Sequence, residues 1–295
     1  MTNKLRDKIT RERDLKESSS RVRSSRSRGS STDSPITLLT DFGTTDYFVA
    51  AVKGVILTLN PAARIIDITH DIPPQDIEAA AFTLLAVYSS FPAGTIHVAV
   101  VDPGVGSSRR AILVQASQQY FIGPDNGIFS YICEHSKPRI FHLTNTKYFR
   151  HPVSPTFNGR DVFAPVAAAL SNGVKPRELG AEIHDYVRLQ SLQAETKRNG
   201  EIQGRIIHID RFGNCITNIT KNELTPEMIG GGAKLRVKGG AIKSFRNYFA
   251  EEIKSGSKIF AVWGSAGFLE IAAVGESAAR ILKAQRGDSV IILME

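Results

Sequence analysis

A chain of 295 residues with 42% hydrophobic side chains is large enough to bury two domain cores rather than one. Its two cysteines, Cys133 and Cys215, each lie in an apolar stretch; they exclude a disulfide framework and predict reduced, buried thiols in a cytoplasmic protein. No apolar run is long enough to span a bilayer and no apolar segment marks a secretory signal, so no membrane partner is expected. The net charge of +8 is concentrated in residues 1–34, with ten Lys/Arg against five Asp/Glu, and the nearly neutral body argues against nucleic acid as its partner.

The segment from Met1 to Ser34 is rich in Ser and Arg and poor in core-forming residues, which predicts a disordered tail. Order is predicted from Pro35. Ile36-Thr-Leu-Leu-Thr reads as a buried strand ending at Asp41-Phe-Gly. Tyr47 to Leu59 has helical apolar spacing and stops at Asn60-Pro61; Arg64-Ile-Ile-Asp-Ile is a second strand. Pro74 to Ser90 reads as a second helix with Pro near its first turn and Asp76 and Glu78 at its positive end. Thr95-Ile-His-Val-Ala-Val-Val is a third strand, running into Asp102-Pro-Gly-Val-Gly. Ala111 to Gln115 and Gln119 to Ile122 look like a hairpin. This alternation predicts an α/β domain with a mainly parallel sheet over residues 35–190, in which ligands bind beyond the carboxyl ends of the strands. From about Glu201 short strand-like runs separated by Gly-rich turns predict a smaller all-β, barrel-like domain over residues 200–295. The boundary is expected in the polar stretch Gln190 to Gly200.

Several loops carry chemistry. In Thr40-Asp-Phe-Gly-Thr-Thr-Asp, the carboxylates of Asp41 and Asp46 suit a metal, a diol or a cation; alternatively Asp46 caps the following helix. In Val101-Asp-Pro-Gly-Val-Gly-Ser-Ser-Arg, two glycines let the backbone fold back and bring Asp102 against Arg109, as a catalytic or a structural ion pair. The loop lacks the Gly-Lys-Ser/Thr end of a phosphate loop. Gly123-Pro-Asp-Asn-Gly reads as a turn and nothing more, and Asp161 in Phe157-Asn-Gly-Arg-Asp as a helix cap. Asp210-Arg-Phe-Gly-Asn and Gly264-Ser-Ala-Gly fall on turns of the second domain. No His/Cys cluster has metal-ligand spacing, so no metal and no cofactor is expected.

Taken in order, Thr40-Asp-Phe-Gly-Thr-Thr-Asp, Val101-Asp-Pro-Gly-Val-Gly, Pro124-Asp-Asn-Gly, Thr156-Phe-x-Gly-Arg-Asp, Phe212-Gly-Asn and Gly267-Phe-Leu-Glu-Ile-Ala resemble the S-adenosylmethionine hydroxide adenosyltransferases, the hydrolase relatives of fluorinase and chlorinase. The resemblance runs from about Ile36 to Glu295. It implies a homotrimer whose sites lie between the α/β domain of one subunit and the β-domain of its neighbour. It also implies a reaction that cuts S-adenosyl-L-methionine into adenosine and L-methionine. On the same basis Asp41 would chelate the ribose hydroxyls, Asp46 and Asp210 face the methionine ammonium, Ser265 its carboxylate, and Asn214 the adenine edge. Gly159, Phe212, Ala266, Ala273 and Gly275 would complete the substrate contacts, and Asp102, Arg109 and Asn158 would hold the attacking water.

Two positions depart from that pattern. The hydrolases complete an Asp-Arg-His triad with the histidine of Thr-Phe-His-Gly-Arg-Asp, where this chain has Asn158; an amide bonds a water but cannot take its proton at neutral pH. Val274 stands where relatives often carry Asn near the adenine. Asn158 therefore keeps a second reading open, an S-adenosylmethionine- or adenosine-binding protein with little turnover. A halogenase is disfavoured, because an ionised Asp102 repels a halide in a low-dielectric site.

Overall fold

The structure is a computed structural model and describes residues 34–251 and 258–294. The predicted disordered tail lies, apart from Ser34, outside the described residues.

The first half is built on seven strands: β1 (Ile36–Thr40), β2 (Ile65–Thr69), β3 (Ile96–Val100), β4 (Ala111–Ala116), β5 (Gln119–Pro124), β6 (Arg139–Leu143) and β7 (Gly180–Ile183), ordered β2-β1-β3-β5-β4-β6-β7. Every residue of β1 and β3 is buried, because the sheet is covered on both faces. Alternate side chains feed two cores. Ile36, Leu38, Ile96 and Val98 pack with helices α1 (Phe48–Leu59) and α3 (Ala164–Ser171). Leu39, Ala99 and Val101 pack with helix α2 (Ile77–Val87) and the short helix Ser130–Glu134.

The expected mainly parallel sheet is corrected here. β2, β1, β3 and β5 run parallel, but β5–β4, β4–β6 and β6–β7 are antiparallel. The cause is local: Ser117 and Gln118 both adopt positive φ (49° and 61°), a tight hairpin that reverses the chain without a crossover helix. Two caps also differ. Tyr47 occupies the position before α1 with no side-chain cap bond, and Asp46 is exposed rather than capping. Helix α2 starts at Ile77, later than Pro74; the Asp76 carboxylate accepts from the Ala79 N–H at 2.9 Å and makes the cap.

The second half forms one path of strands, β12 (Gly240–Ile242), β11 (Lys234–Val237), β16 (Ser289–Leu293), β9 (Ile202–Ile209), β10 (Cys215–Thr220), β15 (Phe268–Ala273), β14 (Ile259–Trp263) and β13 (Phe245–Arg246), with β8 (Glu195–Thr196) on β9. The path curls around an apolar core of Ile202, Leu235, Ile271 and Ile292. Among the described residues it ends at β12 and β13 rather than closing into a hydrogen-bonded ring. β10 escaped sequence reading because its Thr217 and Asn218 are polar yet buried. Thr217 donates to the Leu269 carbonyl at 2.8 Å, and the Asn218 amide oxygen accepts from the Arg205 N–H at 2.6 Å. The polar stretch after Gln190 is not free of structure, since β8 lies in it. The halves meet where Phe82 of α2 stacks on His208 at 5.1 Å and where Arg286 bonds Asp76 at 2.5 Å. No helix among the described residues is long and apolar enough to cross a membrane.

Candidate active site

The carboxyl ends of β1 and β3 open into a cleft of about 360 Å³ lined by Asp41, Phe42 and Phe48, by Gln75, by Asp102 and Val105, and by Thr156 to Gly159. The deepest polar feature is the Asp102–Arg109 pair. Arg109 Nε donates to Asp102 Oδ1 at 2.9 Å and Arg109 Nη2 donates to Asp102 Oδ2, a bidentate fork. Their side chains are only 5% and 12% exposed, so the fork lies in a poorly screened setting. The loop folds back because Gly106 takes φ +81° and packs tightly on the Pro155 carbonyl, where a Cβ would sit 2.7 Å from the oxygen.

Asn158 joins this pair. Arg109 Nη2 also donates to Asn158 Oδ1 at 2.6 Å, and Asn158 Nδ2 makes a long 3.4 Å contact with the Ser154 carbonyl. The amide oxygen therefore faces Arg109, and neither end of the amide can take up a proton at neutral pH. Asp161 is not a helix cap. It lies inside a π-helical turn, Gly159–Phe163, fully buried and bonded by Arg160, Arg150 and the Ser154 N–H. Burial alone would raise its pKa, but those bonds hold it below the ordinary value. The π turn thus anchors the segment that carries Asn158.

At the mouth, Asp41 Oδ2 accepts from the Gln75 N–H at 2.8 Å, and among the described residues its other oxygen has no protein donor. Gln75 reaches it because it adopts φ +66°, an uncommon conformation for a residue with a Cβ.

Comparison with known proteins matches both halves of the chain to family models. A model described as the SAM hydroxide adenosyltransferase N-terminal domain matches residues 36–180, and one for the C-terminal domain matches residues 204–291. The chain belongs to the SAM hydroxide adenosyltransferase family. It is 38% identical over 271 residues to an (R)-S-adenosyl-L-methionine hydrolase of Methanocaldococcus jannaschii, covering 88% of this chain and 95% of that one. It is 36% identical over 269 residues to a protein of the same name from Thermus thermophilus, covering 88% and 99%. A solved structure of an uncharacterized conserved protein from Thermotoga maritima superposes with a TM-score of 0.80 at 33% identity, covering 87% and 99%.

Within the chain the expected site residues fall into two groups. Asp41, Asp102, Asn158 and Gly159 line the cleft, with Arg109 behind them, while Asp46 is exposed nearby and outside the lining. None of Asp210, Phe212, Asn214, Ser265, Ala266, Ala273 and Gly275 lines it. They occupy the β9–β10 and β14–β15 turns and the end of β15. There Asp210 Oδ1 accepts from the N–H groups of Phe212 (2.9 Å) and Asn214 (2.8 Å), and its Oδ2 accepts from Asn214 Nδ2 at 2.9 Å. Phe212 is 79% exposed.

Sequence reading also missed a brace. Asn126 Nδ2 donates to the carbonyl of Val101, the residue before Asp102, at 2.8 Å. Asp125 accepts from Arg110 Nε at 2.8 Å and from the Val187 N–H at 2.9 Å, and Arg110 follows Arg109. The Pro124-Asp-Asn-Gly segment therefore grips both ends of the loop that carries Asp102 and Arg109, which corrects its reading as a turn alone. Its composition gave turn chemistry only; the partners are visible only in space.

Proposed function

We propose that the protein hydrolyses S-adenosyl-L-methionine at ribose C5′, giving adenosine and L-methionine, with a water or hydroxide beside Asp102 as nucleophile and no cofactor. The observation that carries this reading is the Asp102–Arg109–Asn158 cluster inside a cleft with Asp41 at its mouth. The relatives' name specifies the (R) configuration at sulfur, and the same epimer is taken as the preferred substrate here.

The leaving group is a neutral thioether departing from a sulfonium, so no general acid is needed. What the site supplies is position: a nucleophile held in line behind C5′ removes several kcal/mol of barrier. Arg109 fixes both oxygens of Asp102, leaving their remaining lone pairs to orient the water. Asp41 takes the ribose diol. Asp46, Asp210, Ser265 and Asn214, with Gly159, Phe212, Ala266, Ala273 and Gly275, complete the substrate contacts. Because seven of these ten substrate-contact residues lie in the second half, away from the cleft, a homotrimer brings the second half of one subunit to the cleft of the next. The partners are S-adenosyl-L-methionine, adenosine and further copies of the chain. A cytoplasmic setting is supported by the two free, buried cysteines.

The test is incubation with each sulfonium epimer and chromatographic analysis. Adenosine and methionine in equal amounts are expected, faster from the (R) epimer. A halogenated nucleoside formed in chloride would replace the hydrolase reading. A second reading, a binder with little turnover, is favoured by Asn158, whose amide accepts from Arg109 but cannot take a proton from water. Calorimetric binding without adenosine release would select it.

A further inference from the structure

The cleft that holds Asp102 is also lined by three phenylalanines from three separate elements. Phe42 follows β1, Phe48 opens α1, and Phe157 precedes the π turn. Their ring centroids lie 5.7 Å (Phe42–Phe48), 6.1 Å (Phe42–Phe157) and 5.3 Å (Phe48–Phe157) apart, with planes inclined at 53°, 75° and 87°. No two rings are parallel, so they form a concave corner rather than a stack. Gly159 lines the cleft beside the corner, where a Cβ would make ordinary van der Waals contact with the Phe157 ring at 3.5 Å and the Phe42 ring at 3.6 Å. Two of the rings also carry other contacts: the Tyr47 ring centroid lies 4.6 Å from that of Phe48, and the Arg160 guanidinium lies over the Phe157 ring, 5.0 Å from its centroid.

We infer that this corner recognises the sulfonium centre by cation–π attraction, which makes Phe42, Phe48 and Phe157 the residues that tell a charged sulfonium from its neutral thioether. The inference rests on the reading of S-adenosyl-L-methionine as substrate. In a sulfonium the positive charge spreads onto the carbons bonded to sulfur, and the negative face of an aromatic ring attracts such a soft, weakly hydrated cation. Carboxylates near the site also favour the charge, but they are strongly hydrated and do not shape themselves to a methyl group. The corner also has a consequence for turnover. As the nucleophile's oxygen bonds to C5′, the C5′–S bond breaks, its electron pair goes to sulfur and the water's proton leaves to solvent. The product thioether carries no charge, so the rings release it.

Because this attraction is made in the ground state and lost as the charge is discharged, weakening it raises the substrate Kd without lowering kcat. Calorimetry on the full chain, with S-adenosylmethionine, S-adenosylhomocysteine and adenosine as separate ligands, tests the idea on wild type, Phe48→Leu and Phe157→Leu. Each variant is expected to weaken S-adenosylmethionine binding by about 3- to 10-fold, leaving the thioether and adenosine within about 2-fold. Stepwise fluorination of the ring at position 48 keeps its size and drains its π face, so the sulfonium preference should fall with each fluorine. Equal losses for all three ligands, or a preference insensitive to fluorination, overturn the proposal and leave a packing role. Wild type that neither binds nor cleaves S-adenosylmethionine removes the substrate reading itself, and that result is known before any variant is made.

Discussion

At position 158 an amide stands where the resemblance expects an imidazole, and the structure shows how that amide is used. Its oxygen faces Arg109 at 2.6 Å, so the residue tightens the Asp102–Arg109 pair and cannot accept a proton from water. Proton loss must then go to solvent or to Asp102, which Arg109 holds by a bidentate fork. Wild-type turnover is expected to be slow and to rise with pH as hydroxide becomes available. Asn158→His is expected to raise turnover by up to about 100-fold, the lower end of general-base catalysis. It should also add a titration near pH 6 to 7 to the rate profile, where an imidazole changes charge. Steady-state rates between pH 5 and 9 check both; an unchanged rate and profile would place position 158 outside the proton path.

Two elements set the frame around those residues. The first is the brace after β5, in which Asn126 holds the Val101 carbonyl and Asp125 holds Arg110. Asn126→Asp turns a donor into an acceptor facing that carbonyl, and kcat should fall by about 10-fold or more with the Kd for adenosine nearly unchanged. Measured on an Asp102→Asn background, the same substitution should cost little further activity, because the two act through one group. Full additivity would make the brace merely structural. The second element is β3, which carries His97 into the sheet at 0% exposure. Gln119 donates its amide hydrogens to the carbonyls of Tyr88, Phe91 and Pro92, so its oxygen accepts from His97 Nε2 and the ring's Nδ1 accepts from Thr37. Burial pushes the His97 pKa down to about 4, with the Gln119 bond opposing the shift. The unfolded chain therefore binds the proton first. Stability is complete above pH 6.5 and is lost as the pH falls towards 4, by up to about 3 kcal/mol. Denaturant titrations across that range should show the loss, with a shallower slope in His97→Gln; equal slopes would assign the pH dependence to other groups.

At the scale of the whole molecule, the residues expected to bind one substrate are divided between a cleft in the first half and turns in the second. Those turns expose Phe212 at 79% and Val274 at 53%, and Tyr47 near the cleft is 66% exposed. Large apolar side chains left in solvent at binding loops are what a contact with another copy would cover. Light scattering is expected to give a trimer, with activity per chain falling on dilution below the assembly constant. A monomer that keeps full activity at nanomolar concentration would be incompatible with a shared site.

The sequence by itself determined what depends on short-range pattern. Continuous apolar runs marked β1 and β3 as strands buried on both faces. The ends of those strands placed Asp41 and Asp102 on one edge, and the glycines of the following loop brought Arg109 back to Asp102. Tertiary structure alone decided what depends on partners distant in the chain. The hairpin between β4 and β5 was legible in the sequence, but the antiparallel pairing of β4 with β6 and of β6 with β7 that follows it was not. β10 was hidden because its buried polar residues are satisfied by the strands on either side, Asn218 by Arg205 of β9 and Thr217 by Leu269 of β15. The Pro124-Asp-Asn-Gly segment looks like any turn until Asn126 is seen on Val101, and three phenylalanines scattered between residues 42 and 157 become one surface only when β1, α1 and the π turn converge. Apolar periodicity records which face is buried, and it carries no record of which distant residue arrives on that face.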